Sequence, residues 1–280
     1  MVDAKPFLKW AGGKTRLIPE IVKRLPILDD KTYIEPFIGA GSVMFYLMQN
    51  YNIRKAIISD TNEVLMDCYG TIKNNPFILI KILHKLQTDF YALKTIEDKT
   101  KFYIEQRDIF NSKVEINKAS ALLIFLNKTC FNGLYRVNKN GIFNVSYNKS
   151  LTPTICDEAN ILACSKVLQN VDMRLGDYEI MLLNSVPNKF YYLDPPYRPI
   201  SDTSSFTAYN QTLFGDSEQI RLKEFVSVLG ADWLLSNSDD GIYFDELYRG
   251  YNIQRVMNKR MINSKGDKRG EISEVLISNY

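Results

Sequence analysis

The sequence predicts a doubly wound α/β sheet interrupted by a helical insert that carries a β-hairpin. Three observations lead to that expectation. Apolar runs of strand length, ending in glycine turns or acidic residues, alternate with helical periodicity near both ends of the chain. The alternation stops in the middle, where the pattern is helical throughout. Asn140-Gly141 between β-prone segments is a strong short hairpin signal. The sheet domain is accordingly expected in residues 1–70 and 155–280, with the insert at 71–154.

In chain order, Lys31 to Pro36 reads as a buried strand, Gly39-Ala-Gly41 as a turn and Ser42 to Met48 as a helix. Ala56 to Asp60 follows as a second strand, then a helix from Thr61 to Lys73. Asn75-Pro76 starts a helical stretch that extends almost to Asn127, with Phe77, Ile80, Leu83, Leu86 and Phe90 at turn spacing. Leu134 to Val145 forms the hairpin. Asp157 caps a helix to Gln169. Strands resume at Val171–Leu175, Phe190–Leu193, Asp232–Leu235 and Glu274–Ser278, with a helix from Ser217 to Leu229 among them.

Composition narrows the chemistry. A chain of 280 residues with 45% hydrophobic and 12% aromatic content can bury a sizeable core, which excludes disorder and a disulfide-dependent scaffold. Net charge is only +3, yet no acid lies between Glu115 and Asp157, where Lys118, Lys128, Arg136, Lys139 and Lys149 form a local basic face. Four cysteines, Cys68, Cys130, Cys156 and Cys164, lack C-x-x-C spacing, and the one histidine, His84, reads as a structural or surface residue. No metal site is expected. No leader pattern and no membrane-length apolar run is visible, so a reduced, cytoplasmic protein is expected.

Three constellations carry chemistry. Glu35-Pro-Phe-Ile-Gly-Ala-Gly41, with Asp60 at the end of the next strand, has the logic of a nucleoside site: glycine allows close backbone approach, and the acid accepts from ribose hydroxyls. Met44 in the third glycine's place weakens a dinucleotide reading. Lys9-Trp-Ala-Gly-Gly-Lys-Thr15 imitates a P-loop, but Leu8 stands where the first glycine is required; an indole and an ammonium beside flexible backbone suit an adenosine ligand ending in a carboxylate. Tyr191-Tyr-Leu-Asp-Pro-Pro-Tyr197 is the most specific signal. Two prolines remove N–H donors and leave acceptors, so the Asp194 carboxylate and the Pro195 carbonyl can each take one N–H of an exocyclic amine, while Tyr197 stacks on its ring.

Together with Phe131-Asn-Gly-Leu-Tyr-Arg136 in the insert, these motifs resemble the Dam and DpnII-type DNA adenine-N6 methyltransferases, the alpha group of the D12 class, in the same order and over essentially the whole chain. The resemblance implies a Rossmann-like methyltransferase sheet and an S-adenosyl-L-methionine site built from Trp10, Gly12, Lys14, Phe37, Gly39, Gly41, Asp60, Asp177 and Asp194. It implies Asp194, Pro195, Pro196 and Tyr197 as the catalytic cup. It also implies recognition of GATC in double-stranded DNA by Lys9, Phe131, Asn132, Leu134 and Arg136, Phe131 filling the space of an extruded base. Val145-Ser146 departs from the Val-Pro of many members. A companion restriction endonuclease is left open, as is oligomeric state. The insert agrees on physical grounds, since a β-ribbon fits the major groove and Arg reads guanine.

Further expectations concern the cluster Arg255, Lys259, Arg260, Lys265, Lys268 and Arg269, as a second basic surface, and Ser201–Gly215, as a loop that orders on DNA. The rival readings are an amine methyltransferase acting on cytosine N4, a P-loop ATPase, and a DNA-binding module without catalysis; cytosine C5 chemistry is disfavoured because no cysteine follows a proline.

Overall fold

Pro19 sits in the first turn of a short helix, α1 (Ile18–Val22), where its missing N–H costs nothing. The next elements are β1 (Thr32–Glu35), α2 (Ser42–Asn50), β2 (Lys55–Asp60), α3 (Glu63–Asn74), α4 (Pro76–Ala92), α5 (Ile96–Asn111), α6 (Ile116–Thr129) and α7 (Glu158–Leu168). They are followed by β3 (Val171–Leu175), β4 (Lys189–Leu193), α8 (Asp216–Ser227), β5 (Asp232–Ser238), α9 (Ile242–Leu247), β6 (Asn252–Lys259) and β7 (Glu271–Ser278). The computed structural model describes residues 2–198, 214–259 and 271–280.

The described strands form one sheet in the order β3-β2-β1-β4-β5-β7-β6, parallel except for β7, which runs antiparallel to both of its neighbours. Side-chain alternation divides it cleanly. Tyr33, Ala56, Ile58, Phe190, Tyr192, Leu234 and Leu276 face one apolar cluster. Ile34, Ile57, Tyr191, Leu193, Trp233, Leu235, Val275 and Ile277 face another, covered by Leu222 and Phe225 of α8 and Phe244 of α9. Both faces are buried, as a doubly wound sheet requires. β1 pairs with β2 on one side and β4 on the other, so the order reverses between β1 and β4 and opens a crevice beyond their carboxyl ends.

The long helical stretch after Asn75 resolves into separate helices because side chains cap their starts. Thr95 Oγ1 accepts from the Asp98 N–H to begin α5, and the Glu115 carboxylate accepts from Asn117 and Lys118 to begin α6. Every residue of α6 from Ser120 to Asn127 is buried, which fits a helix walled by α3, α4 and α5. Its Ser120 hydroxyl meets Thr71 of α3 at 2.8 Å, and its apolar residues belong to the same cluster as α2 and α7.

The hairpin differs in form from the expected ribbon. Asn138 and Gly141 make the turn, but pairing is confined to isolated antiparallel bridges, Val137 with Phe143 and Cys130 with Tyr147. Asn111 of α5 bonds both the N–H and the carbonyl of Phe143 on the edge that faces away from Val137, and so ties the loop to the helix. β6 and α9 were not expected; at this sheet edge Asn252, Gln254 and Arg255 face solvent and Met257 is exposed among them, so the segment lacks a clear apolar alternation.

Candidate active site

The turn after β1 is fixed from below. Gly39 and Gly41 have φ of +46° and +69°, and Gly41 caps α2 in the left-handed region. A Cβ on Gly41 would lie 2.6 Å from the Tyr69 hydroxyl, which itself donates to the Gly39 carbonyl at 3.0 Å. Asp60, at the end of β2, accepts from the Gly39 N–H at 3.2 Å and the Asn62 N–H at 2.9 Å. Burial raises its pKa, opposed by those backbone donors. Phe37 lies 5.2 Å from Tyr178, the residue after Asp177. Asp177 accepts from the Glu179 N–H and pairs with Arg221 at 2.8 Å. Phe37, Gly39, Gly41, Asp60 and Asp177 thus line the ends of β1, β2 and β3, as a nucleoside site at a switch point needs.

The N-terminal segment crosses this crevice. Trp10 stacks on Tyr135 of the insert with centroids 5.3 Å apart, and a Cβ on Gly39 would come within 3.1 Å of its indole. Gly12 has φ +77° and accepts the Lys14 ammonium on its carbonyl at 2.8 Å. Lys14 is buried. Its Nζ lies 2.7 Å from Asp194 Oδ1 and 4.6 Å from the centre of the Tyr197 ring. The one lysine expected at the cofactor end therefore reaches the other side of the cleft, tying the glycine-rich segment to the Asp-Pro-Pro-Tyr turn.

At the end of β4, Asp194 is partly exposed, with 18% of its side chain open, whereas Pro195 is buried and Pro196 exposed. Burial raises the Asp194 pKa, with Lys14 pulling against it. Ser236 of β5 donates to Asp194 Oδ1 at 3.1 Å. The Tyr197 hydroxyl donates to Glu274 of β7 at 2.7 Å, which fixes the ring at the cup's rim. Glu35 lies beneath, 3% exposed, accepting from Tyr33 at 2.7 Å; burial pushes its carboxyl well above the usual range, and that hydroxyl opposes the shift. Sequence reasoning gave Glu35 no role and missed Ser236 and Glu274, which no motif marks.

The five residues expected at DNA lie on the insert loop and the strap beside it. Phe131, Asn132 and Arg136 are exposed, Leu134 is half-buried, and Arg136 Nε donates to Asn144 at 2.9 Å. Asn132 has φ +57°. Asn127 of α6 joins the two pieces: it accepts from the Lys9 N–H at 2.8 Å and donates to the Lys9 carbonyl at 2.9 Å and the Gly133 carbonyl at 2.8 Å. At Val145-Ser146 the Ser146 carbonyl takes the Phe131 N–H, holding the loop's base. Of the second basic cluster, Arg255 is engaged by Asp239 and Asp245, so it is an intramolecular partner in place of a free phosphate contact. Residues 260–270 lie outside the described residues, as do residues 201–213 of the expected loop. His84 is a surface residue that meets Glu158 at 2.9 Å. No helix among the described residues is long and apolar enough to cross a membrane.

Comparison with known proteins decides which amine is the acceptor. The family model of the D12 class N6 adenine-specific DNA methyltransferases matches residues 10–262. The chain belongs to this class. Among relatives of the D12 enzyme, the type II methyltransferase M.MjaIII of Methanocaldococcus jannaschii is 48% identical over all of both chains. M1.LlaDCHI of Lactococcus lactis subsp. cremoris, also named a type II methyltransferase, is 34% identical over 100% of this chain and 96% of its own. The DNA adenine methylase of Salmonella typhi is 30% identical over 99% and 95%. This D12 chain is therefore an adenine-specific DNA methyltransferase, and the cytosine N4, ATPase and non-catalytic readings fall away.

Proposed function

We propose that the enzyme transfers the methyl group of S-adenosyl-L-methionine to adenine N6 within GATC in duplex DNA, with the adenine swung out of the helix into the cup formed by Asp194, Pro195, Pro196 and Tyr197. The observation that supports it most is the position of Asp194: it stands at the mouth of the β1/β4 crevice, joined through Lys14 to the glycine-rich strap. The cradle suits the methyl donor. Gly39 and Gly41 let the backbone turn sharply against the Trp10 indole and the Tyr69 hydroxyl, Trp10 and Phe37 offer apolar surface for a purine, and Asp60 and Asp177 supply carboxylates for hydroxyls or an ammonium. When bound, the donor supplies an electrophilic methyl on a sulfonium.

The remaining work falls to the chain. An aromatic amine is a poor nucleophile because its lone pair is delocalised into the ring. Asp194 and the Pro195 carbonyl accept its two hydrogens, turn the lone pair out of conjugation, and stabilise the positive charge that grows on N6 during attack. The methylated amine cation is strongly acidic, so its proton leaves to Asp194 or to water. Tyr197, anchored by Glu274, stacks on the extruded base and offsets part of the few kcal/mol of unstacking. Lys9, Phe131, Asn132, Leu134 and Arg136 meet the DNA, Arg136 through guanine O6 and N7, and the surrounding acid-free stretch faces phosphates.

The names of two relatives favour a setting beside a companion restriction endonuclease, in which DNA methylated by this chain resists that nuclease. The deciding experiment maps N6-methyladenine in mixed-sequence DNA treated with the protein and a labelled methyl donor. Label confined to the adenine of GATC is the expected result; label in another sequence context overturns the specificity, and unlabelled DNA overturns the donor.

A further inference from the structure

The Asp194 carboxylate is held asymmetrically. Both donors described on it, Lys14 Nζ at 2.7 Å and Ser236 Oγ at 3.1 Å, fall on Oδ1. Ser236 lies in the middle of β5 and is fully buried, beyond the reach of substrate. Its Oγ also lies 2.9 Å from the hydroxyl of Tyr192, a fully buried residue two positions before Asp194 on the neighbouring strand. A serine hydroxyl has one hydrogen. If that hydrogen goes to Asp194, Tyr192 must donate to Ser236, so the chain Tyr192 O–H to Ser236 Oγ to Asp194 Oδ1 has a single direction.

We propose that Ser236, oriented by Tyr192, is a positioning residue that fixes the Asp194 carboxylate so that Oδ1 is consumed within the protein and Oδ2 is presented to the amine. The proposal rests on the role of Asp194 given above and adds what holds it. Carboxyl torsion about Cβ–Cγ is broad and roughly two-fold, so one salt bridge to a flexible lysine leaves the plane of the group free to swing. A second donor from a rigid strand, off the axis of the first, removes that freedom. The geometry explains why a buried tyrosine and a buried serine meet where apolar residues would pack equally well.

The groups facing Asp194 from the surrounding elements are Lys14, Glu35, Tyr192, Tyr197, Ser236 and Glu274, with Tyr33 behind Glu35. Burial and the Glu274 charge raise the Asp194 pKa, whereas Lys14 and the Ser236 hydroxyl lower it. Losing the serine donor must therefore move the acid limb of the rate profile to higher pH.

The test uses the full chain, a GATC duplex and labelled S-adenosyl-L-methionine, with kcat and both KM values measured across pH. Ser236→Ala is expected to lower kcat about 10- to 100-fold with both KM values within about 2-fold, and to shift the acid limb upward. Tyr192→Phe should move both quantities the same way by less, and Ser236→Thr should restore the limb. Ser236→Ala with wild-type kcat and an unmoved limb overturns the proposal, as does a kcat loss without any shift of the limb. Should Ser236→Ala fail to fold, the limb of the isosteric Tyr192→Phe decides in the same way. Asp194→Ala, measured alongside, separates the two levels: an inactive Asp194→Ala beside a normal Ser236→Ala removes only this proposal, whereas an active Asp194→Ala removes the parent reading with it.

Discussion

The carboxyl ends of β1 and β4 and the loop at 130–148 are built on opposite plans. Around Asp194 the polar atoms are paired inside the protein: Lys14 with Asp194 and the Gly12 carbonyl, Tyr197 with Glu274, Asp60 with two backbone N–H groups. On the loop, Phe131, Asn132 and Arg136 face solvent over a turn closed by isolated bridges. The first region is ordered in advance, which suits the proposed role of Asp194, because a group that must meet a developing charge cannot reorganise at the moment of reaction. Under the proposed function, the second leaves Phe131, Asn132 and most of the Arg136 donors open to solvent until bases replace the water.

The comparison can be broken at its strongest point by Asp194→Ala. Methyl transfer should fall by at least about 10³-fold while DNA binding, read by a gel-shift assay, changes little; comparable losses in both would mean that the two regions are not separable. Gly41→Ala comes next. Its φ of +69° and a Cβ 2.6 Å from the Tyr69 hydroxyl should cost about 2–3 kcal/mol in urea unfolding. Arg136→Ala should lose about 1–3 kcal/mol of discrimination at one guanine in competition binding, with folding stability unaltered; equal weakening on every sequence would make it a phosphate contact. Gly141→Ala sharpens the contrast with Gly41, since φ is again positive, +74°, but nothing lies within 4 Å of the new Cβ, so about 1 kcal/mol is expected.

The smallest effect concerns pH. Glu35 has its pKa raised on folding, chiefly by burial. Such a carboxyl contributes its full stability below its unfolded pKa, about 4.3, and loses it as pH rises through the folded value. Glu35→Gln should therefore gain in melting temperature relative to the parent protein as pH goes from 5 to 8. A gain that shrinks over that interval would place the Glu35 carboxyl in a more polar setting than its contacts indicate.

Much of the sheet was legible because its strands are strongly periodic or uniformly apolar. Val171–Leu175 has the bounds expected of it, and Asp157 caps its helix as read. The motifs were legible because glycine and proline act locally: positive φ at Gly39 and Gly41 and the donor-free turn after Asp194 follow from the residues themselves. What could not be read is long-range pairing. Nothing in Asn127 announces that it bonds Lys9, 118 positions away, and nothing in Ser236 or Glu274 says which turn it will face. Lys14 was visible as a cation near glycines, but its carboxylate partner is set by the strand order, which appears only once β4 lies beside β1.

Asn127 has a mechanical consequence. Its three bonds tie the strap at Lys9 to the loop at Gly133 and brace both against a helix buried from Ser120 to Asn127. At about 1 kcal/mol net for each bond, parting them costs about 3 kcal/mol, so fewer than about one molecule in a hundred has them uncoupled at rest. A shift of the loop is then carried through one buried side chain to the backbone of Lys9, five residues before the lysine that meets Asp194.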